Sequence, residues 1–337
     1  MNNLICIAGP TASGKTALSI ALAQELDAEI VSCDSMQVYR RMDIGTAKPS
    51  MEERAGIVHH MLDVANPEED FSVSRYCAMA DPIVEDILAR GKTAIIVGGT
   101  GLYMDSLIRG NAFAPYPSTG RREELEAIAR EKGIGAVIDM LRAVDPESAA
   151  KLHPSDQKRI IRAMEVYLET GETITEHNRR TQEIPDKYAP TWFALEDEAR
   201  ADLYARIDRR VEIMLEMGLM QEIEDLLTSG IPEKCTAMQA IGYKEFVDAR
   251  AGRCTLEEAV ALVQQSSRRY GKRQLTWFRR NENMHYERLQ HLSPEDCDGC
   301  GACSYICPAG RPVAAEVLRA GQTKGTVFLA WGEDDNE

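Results

Sequence analysis

The sequence predicts an α/β fold, in which a helical insertion interrupts a parallel sheet core. Short apolar runs of strand length alternate with amphipathic runs of helix length over the first hundred residues, the rhythm of parallel strands joined by helical crossovers. A glycine-rich segment separates the first strand from the first helix. From residue 114 only helical patterns follow, until an apolar run at 188–195 indicates a strand that returns to the sheet.

The individual elements follow from hydrophobic periodicity. The predicted strands are Leu4–Ala8, Glu29–Cys33, Thr93–Val97 and Tyr188–Leu195. The predicted helices are Lys15–Leu26, Val73–Arg90, Arg121–Lys132, Gly135–Arg142, Pro146–Leu152, Ser155–Glu169, Asp202–Leu227 and Thr255–Arg279. The segment APYPSTG at 114–120 is a turn-rich linker. We therefore expect a catalytic core of residues 1–113 and 188–285, an insertion of residues 114–187, and a tail of residues 286–337.

The glycine-rich segment GPTASGKT matches the phosphate-loop pattern G-x-x-x-x-G-K-[ST] without a mismatch. Backbone N–H groups of such a loop surround an anion, and the following helix directs its positive end at the same point. A lysine adds a charge, and the last hydroxyl is placed to hold Mg²⁺. The pattern is typical of ATP-binding proteins and predicts a P-loop NTPase-like core that binds a polyphosphate. The loop residues are Gly9, Pro10, Thr11, Ala12, Ser13, Gly14, Lys15 and Thr16.

Three loops are expected at one edge of the sheet, because ligands bind beyond the carboxyl ends of parallel strands. They are the phosphate loop, Asp34-Ser35, and Gly98-Gly99-Thr100. Motors and switches hold Mg²⁺ with an aspartate at a strand end, whereas here the strand TAIIV ends in Gly-Gly-Thr, which argues against ATP hydrolysis. Asp34 could hold a metal, remove a proton from an acceptor, or cap the next turn.

Composition narrows the class of protein. The chain has 337 residues, enough for a main core and a smaller domain, and no apolar run near the ~20 residues of a membrane helix. It lacks the basic start of a signal peptide, so we expect a cytoplasmic protein with no membrane partner. The formal net charge of −15 argues against indiscriminate nucleic-acid binding, although a local basic groove remains compatible with it.

Basic residues cluster in three places. The segment 268–280, RRYGKRQLTWFRR, has six of them and no acid, with three aromatic residues interleaved. Solvated helix faces are the usual meaning of such runs, but three clusters in an acidic chain favour a nucleic-acid backbone site. The clustered residues are Arg268, Arg269, Lys272, Arg273, Arg279 and Arg280; Lys158, Arg159 and Arg162; and Arg206, Arg209 and Arg210.

An ordered series of motifs resembles the bacterial tRNA dimethylallyltransferases, also called tRNA isopentenyltransferases. The resemblance covers residues 1 to about 285. The motifs are GPTASGKT (9–16), DSMQVYRRMDIGTAKP (34–49), HHMLDV (59–64), GGTGLY (98–103), HPSDQKRIIRAMEVYLETG (153–171), AMQAIGYKE (237–245) and KRQLTWFRR (272–280). The resemblance implies transfer of a dimethylallyl group from dimethylallyl diphosphate to N6 of adenosine 37, beside the anticodon, in tRNAs that read codons beginning with U. It also implies a monomer that requires Mg²⁺.

The resemblance also implies roles for single residues. Thr11, Lys15, Thr16 and Arg210 would neutralise charge on the diphosphate leaving group, with Mg²⁺ bridging that group and Thr16. Asp34 would take the proton from the adenine amino group, and Thr100 would line the reaction channel. The implied tRNA contacts are Asp34, Ser35, Met36, Gln37, Thr100, Arg122, Gln157, Lys158, Arg159, Arg162, Lys272 and Arg273. Two alternatives remain: transfer to a free adenine nucleotide, or a redox-responsive RNA-binding protein without transferase activity.

The tail departs from the family. Residues 297–308, CDGCGACSYICP, follow the C-x2-C-x2-C-x3-C-P run of ferredoxin-type [4Fe–4S] ligation. Cys297, Cys300, Cys303 and Cys307 would bind an iron–sulfur cluster or, as the alternative, zinc; four idle surface thiols are the remaining interpretation. The other five cysteines are scattered singly and are expected to be small buried hydrophobic residues.

Overall fold

The structure is a computed structural model that describes residues 3–111, 119–183, 185–197 and 199–289. Most of the predicted linker at 114–120, and the tail from residue 290 onward with its four clustered cysteines, lie outside these residues; residues 286–289 of the predicted tail belong to a strand of the sheet. The chain divides into two compact units. Of the described residues, one unit comprises those up to Gly110 together with those from Tyr188 to Leu289, and the other comprises those between Asn111 and Lys187.

The first unit is built on a parallel sheet. The described strands are β1 (Leu4–Ala8), β2 (Ala28–Ser32), β3 (His59–His60), β4 (Thr93–Gly98), β5 (Thr191–Asp197) and β6 (Met284–Leu289). They lie in the order β3-β2-β4-β1-β5-β6, and each neighbouring pair runs parallel. This arrangement confirms the predicted α/β class with a parallel core. The central position of β4 brings the loop that follows it between the loops that follow β1 and β2.

The helices of the first unit cover both faces of the sheet. They are α1 (Lys15–Leu26), α2 (Val73–Ala89), α3 (Gly101–Arg109), α9 (Arg200–Glu216), α10 (Leu219–Thr228), α11 (Tyr243–Arg250) and α12 (Leu256–Phe278). Helix α1 packs its apolar residues, among them Leu18 and Leu22, against Ile7, Ile30 and Ile95 of the strands. On α2, the buried Tyr76 donates a hydrogen bond to the carbonyl of Ser32, 3.0 Å away.

The second unit is helical and has its own core. Leu125, Val137, Leu141, Ile160 and Met164 pack together in it, from three different helices. Its helices are α4 (Arg121–Lys132), α5 (Ile134–Val144), α6 (Pro146–Lys151), α7 (Gln157–Thr170) and α8 (Ile174–Glu183). The helical pattern of this stretch was therefore informative, although α8 is polar and was not predicted.

Several predicted elements differ from the structure. The single helix expected at Asp202–Leu227 is two helices, because Gly218 adopts φ 101° between α9 and α10. Strands β3 and β6 were not predicted: the first has two residues, too few for any alternation, and the second, MHYERL, is largely polar. In the described ranges, no helix is both long and apolar enough to cross a membrane.

Candidate active site at the carboxyl ends of the central strands

The phosphate loop joins β1 to α1 and has the geometry of an anion site. Gly14 takes a left-handed conformation (φ 80°) directly before the helix begins at Lys15, so the positive end of α1 faces the loop. The Ser13 hydroxyl is buried and has no hydrogen-bond partner among the described residues. A buried polar atom without a partner is costly in a native protein. An anion in the loop would supply the missing acceptor.

Lys15 lies at the centre of the positive charge. Its Nζ donates a hydrogen bond to the carbonyl of Pro10 at 2.5 Å. Burial and the charge of Arg210 lower the pKa of Lys15 to about 7, and Asp34 acts in the opposite direction. Since the three side chains influence one another, the structure brings together Lys15, Arg210 and Asp34 from distant parts of the chain. An anion bound here would favour the charged form of Lys15.

Asp34 follows β2 and caps the turn after it. Its Oδ1 accepts hydrogen bonds from the backbone N–H groups of Met36 at 2.8 Å and Gln37 at 3.3 Å. The capping role, one of three considered from the sequence, is therefore present. Both bonds go to Oδ1, so Oδ2 has no hydrogen bond within the described part of the chain. The cap fixes the carboxylate and leaves one oxygen available to accept a proton.

The loop after β4 lies against the loop that bears Asp34. A Cβ at Gly98 would come within 1.9 Å of the carbonyl oxygen of Cys33, so only glycine permits this approach of β4 to β2. Oγ1 of Thr100 accepts a hydrogen bond from the backbone N–H of Ser35 at 3.1 Å. Thr100 thus fixes the position of the residue next to Asp34. The three predicted loops converge at one edge of the sheet.

The side-chain amide of Gln37 is occupied within the protein. Nε2 donates to the carbonyls of Thr46 and Ala47, and Oε1 accepts from the Ser32 hydroxyl. These bonds hold the segment after β2 in place. Ser35 and Met36, the other two residues of this segment that were predicted to contact RNA, are partly exposed beside the carboxylate.

Helix α12 contributes contacts that the sequence did not predict. Gln274, 5% exposed, accepts a hydrogen bond from the Thr11 backbone N–H (3.0 Å) and donates one to the Gly99 carbonyl (2.9 Å). Three residues further, Nε1 of Trp277 donates to Asp105 at 2.9 Å. Both lie in the motif KRQLTWFRR, in which the sequence indicated only the basic residues and the interleaved aromatic ones. A contact between residues 11 and 274 cannot be predicted from a single sequence, because the two residues are far apart along the chain.

Tyr270 of the same helix also faces the site. Burial and the negative charge of Asp34 raise the pKa of Tyr270 to about 12, while a hydrogen bond with Thr100 acts in the opposite direction. On α9, Nε of Arg206 donates to the carbonyl of Ala12 in the phosphate loop at 3.0 Å. Two helices from the carboxyl-terminal half of the described chain therefore support the phosphate loop.

Several clustered cations have acidic partners from other elements or turns. Arg268 pairs with Asp208 of α9, and Arg279 pairs with Glu196 of β5. Arg209 pairs with Glu212 and Glu216. The segment 268–280 contains no acidic residue, but in the folded protein acidic residues of other elements neutralise Arg268 and Arg279. Lys272 and Arg273 are exposed on α12.

The predicted RNA contacts of the insertion lie on α4 and α7. Arg122 of α4 and Arg162 of α7 both donate hydrogen bonds to Glu165, at 2.9 Å each. Gln157, Lys158 and Arg159 form the exposed first turn of α7. Within this unit the residues present a partly neutralised basic surface.

The donor set at the phosphate loop fits Mg²⁺ in one specific way. Thr16 is partly exposed in the first turn of α1 and offers one hydroxyl. No three His, Cys, Asp or Glu side chains come together as a metal site in the described ranges. Mg²⁺ is usually held by one or two protein groups together with substrate phosphates and water. The residues present therefore fit an ion that is held jointly by Thr16 and a bound diphosphate.

The fold and the site define a class of protein: a P-loop α/β protein whose loop has the geometry of an anion site and lies beside a strand-end carboxylate. Comparison with known families gives the particular family. The model of the family described as IPP transferase matches residues 37–281, and that described as Isopentenyl transferase matches residues 2–68. The chain belongs to the IPP transferase family.

Individual relatives agree with this assignment. The tRNA dimethylallyltransferase of Alkaliphilus oremlandii is 44% identical over 301 residues, 89% of this chain and 95% of the relative. A crystal structure of a tRNA delta(2)-isopentenylpyrophosphate transferase from Staphylococcus epidermidis matches with a TM-score of 0.65 and 38% identity, covering 95% of this chain and 98% of that one. A eukaryotic dimethylallyltransferase acting on tRNA matches with a TM-score of 0.73 and 32% identity, covering 85% of this chain and 73% of that one.

Proposed function

We propose that the protein is a tRNA dimethylallyltransferase. It transfers a dimethylallyl group from dimethylallyl diphosphate to N6 of adenosine 37 in tRNAs that read codons beginning with U, which gives N6-dimethylallyladenosine. The observation that supports this most directly is the phosphate loop next to Asp34, with Thr100 between them. One site can therefore hold a diphosphate and a proton acceptor side by side. On this proposal the enzyme works as a monomer in the cytoplasm.

The reaction forms a carbon–nitrogen bond and breaks a carbon–oxygen bond. The N6 nitrogen attacks C1 of the dimethylallyl group, the bond from C1 to the diphosphate oxygen breaks, and N6 loses one proton. Lys15, Arg210 and the loop N–H groups stabilise the negative charge that develops on the departing diphosphate. Mg²⁺, when bound, adds further charge neutralisation at the diphosphate oxygens. Oδ2 of Asp34 takes the proton, as a general base.

The acceptor adenosine must leave the anticodon stack to reach Asp34, which costs a few kcal/mol. Contacts with the anticodon stem-loop repay this cost. We assign them to Ser35, Met36, Gln37 and Thr100 in the core, to Lys272 and Arg273 on α12, and to the insertion. The insertion residues are Arg122, Gln157, Lys158, Arg159 and Arg162.

A transfer assay tests the function. The anaerobically purified full chain is incubated with radiolabelled dimethylallyl diphosphate, Mg²⁺ and unmodified tRNA, in parallel with free AMP. Label in tRNA supports the proposal, and label in AMP alone would assign the protein to nucleotide-modifying transferases. Lys15→Ala is expected to abolish transfer, because it removes the charge at the centre of the loop, whereas Lys244→Ala removes an exposed lysine of α11 and should keep it. No label in either acceptor from the folded wild-type protein would overturn the enzymatic function.

We also propose that Cys297, Cys300, Cys303 and Cys307 bind a [4Fe–4S] cluster, with zinc as the alternative. The support is their spacing and the proline that follows. The test is elemental analysis of iron and zinc, with the visible absorption spectrum, on the anaerobically purified full chain. Iron should be lost in Cys300→Ser and kept in Cys254→Ser. Zinc in place of iron would contradict the cluster, and neither metal would contradict both.

A further inference from the structure

One side chain spans two of the three loops of the site. Oε1 of Gln274 accepts from Thr11 in the phosphate loop, and Nε2 donates to the Gly99 carbonyl after β4. The amide can lie only one way round, because turning it over would set a carbonyl against a carbonyl and an NH₂ group against an N–H group. The side chain is buried, so losing either bond would leave a polar group without a partner.

The connection continues to Asp34 over a short path. Gly99 is followed by Thr100, and Oγ1 of Thr100 accepts from the backbone N–H of Ser35 at 3.1 Å. Ser35 in turn follows Asp34. Two hydrogen-bonded links and two peptide bonds therefore lead from Gln274 to the general base, while one hydrogen bond leads from it to the phosphate loop.

The connection uses a backbone N–H of the phosphate loop itself. Backbone N–H groups of such loops normally point at the phosphate, whereas the N–H of Thr11 donates to Gln274. Gly99 is adapted to the same contact, because a Cβ there would lie 2.1 Å from Nε2 of Gln274. Both loops thus have features that suit their hydrogen bonds with Gln274.

We propose that Gln274 is a positioning residue that sets the distance between the bound diphosphate and Asp34, an inference that rests on the proposed function. Transfer requires N6 to lie in line with the bond that breaks, with the proton acceptor beside it. A displacement of about 1 Å between reacting groups costs on the order of 100-fold in rate. Gln274 acts on the rate through the two loops, without touching either substrate.

The first test compares two glutamines on one helix. Gln274→Met keeps the length of the side chain and removes both hydrogen bonds. Gln264→Met is the matched control, since the hydrogen bond of Gln264, from Nε2 to the carbonyl of Asp208 at 3.3 Å, joins α12 to α9 and goes to none of the three loops. We expect kcat for tRNA to fall about 100-fold in Gln274→Met, with KM for both substrates within about 3-fold of wild type. Gln264→Met should keep the wild-type kcat.

Two further variants separate positioning from folding. Gly99→Ala should displace the Gln274 amide and lower kcat as Gln274→Met does, and the double variant should cost no more than the more severe single one. In Gln274→Glu, only the protonated carboxyl can donate to the Gly99 carbonyl. Its kcat relative to wild type should therefore rise as the pH falls, a dependence that loss of stability alone would not produce.

The outcomes distinguish this inference from the proposed function. If wild-type protein transfers label to tRNA and folded Gln274→Met keeps kcat within about 3-fold, the positioning role is wrong and the function stands. Additive losses in the Gly99→Ala and Gln274→Met pair, or a pH profile of Gln274→Glu parallel to wild type, would also overturn it. If the wild-type protein transfers nothing, the proposed function fails first, and the inference fails with it.

Discussion

The two oxygens of the Asp34 carboxylate have different surroundings. Oδ1 accepts two backbone N–H groups and holds the turn, while Oδ2 is the oxygen to which the proposed function assigns the proton. A general base needs both a fixed position and a free lone pair. The capping role and the catalytic role are therefore compatible, although from the sequence alone they were alternatives.

Two substitutions of Asp34 distinguish its roles. Asp34→Ala removes the cap and the base, whereas Asp34→Asn keeps an oxygen for the cap and removes only the base. We expect both to cut turnover by at least ~100-fold, within the range for loss of a general base, and to leave tRNA affinity largely intact. Single-turnover transfer and filter binding of tRNA measure the two effects. A near-wild-type rate for Asp34→Asn would reduce the residue to a cap, and loss of tRNA binding in both would make it a recognition residue.

Single residues also show the limit of prediction from sequence. Lys15, Thr16 and Asp34 were identifiable, because their motif or their place after a strand determines where they lie. The contacts of Gln274 and Arg206 with the phosphate loop were not, although Arg206 was noted in a basic cluster, because their partners, Thr11 and Ala12, are far away along the chain. Arg268 and Arg279 looked unpaired for the same reason: their acids belong to other elements.

Among the elements, the segment after β2 is held by helices far along the chain. Glu222 of α10 accepts hydrogen bonds from the backbone N–H groups of Asp43, Ile44 and Gly45 and from the Tyr243 hydroxyl. A Cβ at Gly45 would lie 2.5 Å from the Tyr243 ring. Lys48, buried, pairs with Asp43 and Asp63 at 2.6 Å each. These contacts fix the loop whose carbonyls at 46 and 47 orient Gln37, and so the turn that bears Asp34.

We expect Glu222→Gln to loosen this loop. The amide NH₂ group would face at least one backbone N–H donor, which would lose its acceptor, at a cost of ~1–3 kcal/mol in the free energy of unfolding. Urea unfolding measures that loss, and proteolysis within residues 40–48 measures the local effect. Tyr243→Phe is the matched control: it removes one of the four hydrogen bonds, and we expect a smaller loss of ~0.5–1.5 kcal/mol. Equal stability of Glu222→Gln and wild type would show that Glu222 does not hold this loop in place.

At the scale of the whole molecule, the hydrophobic periodicity of the sequence was sufficient to predict the class of fold. The alternation of strand and helix predicted β1, β2, β4 and the loops at their carboxyl ends, because these strands are largely apolar and buried on both faces. It could not predict β3 or β6 at the sheet edges, where two residues or a polar sequence leave no pattern. The order of the strands places β4 between β1 and β2 and so determines which loops meet. No local pattern in the sequence predicted this order.

The opposite end of the sheet contains a buried charge network that governs stability in acid. Glu29, near the amino end of β2, accepts hydrogen bonds from Arg90 after α2 and pairs with His60 of β3. The hydrogen bond from Arg90 is the main cause that lowers the pKa of Glu29 to about 2. The network lies at the amino ends of the strands, away from the site, so it affects folding without touching the chemistry.

This network predicts how stability depends on pH. The folded pKa of Glu29, about 2, lies below its value of ~4.3 in an unfolded chain. The ionised Glu29 carboxylate therefore contributes ~2–3 kcal/mol to the free energy of unfolding at neutral pH. This contribution is complete above pH ~5 and is lost as the pH falls towards 2. Urea unfolding from pH 7 to 3 should show Glu29→Gln less stable than wild type at neutral pH, with the difference shrinking in acid.

Glu224→Gln is the control variant. It removes an exposed pair with Arg250 and should change stability far less, since solvent screens that pair. A constant difference between wild type and Glu29→Gln across this range would show that the carboxylate is not stabilised by its partners, and unchanged transfer by folded Glu29→Gln at neutral pH would separate this network from the active site.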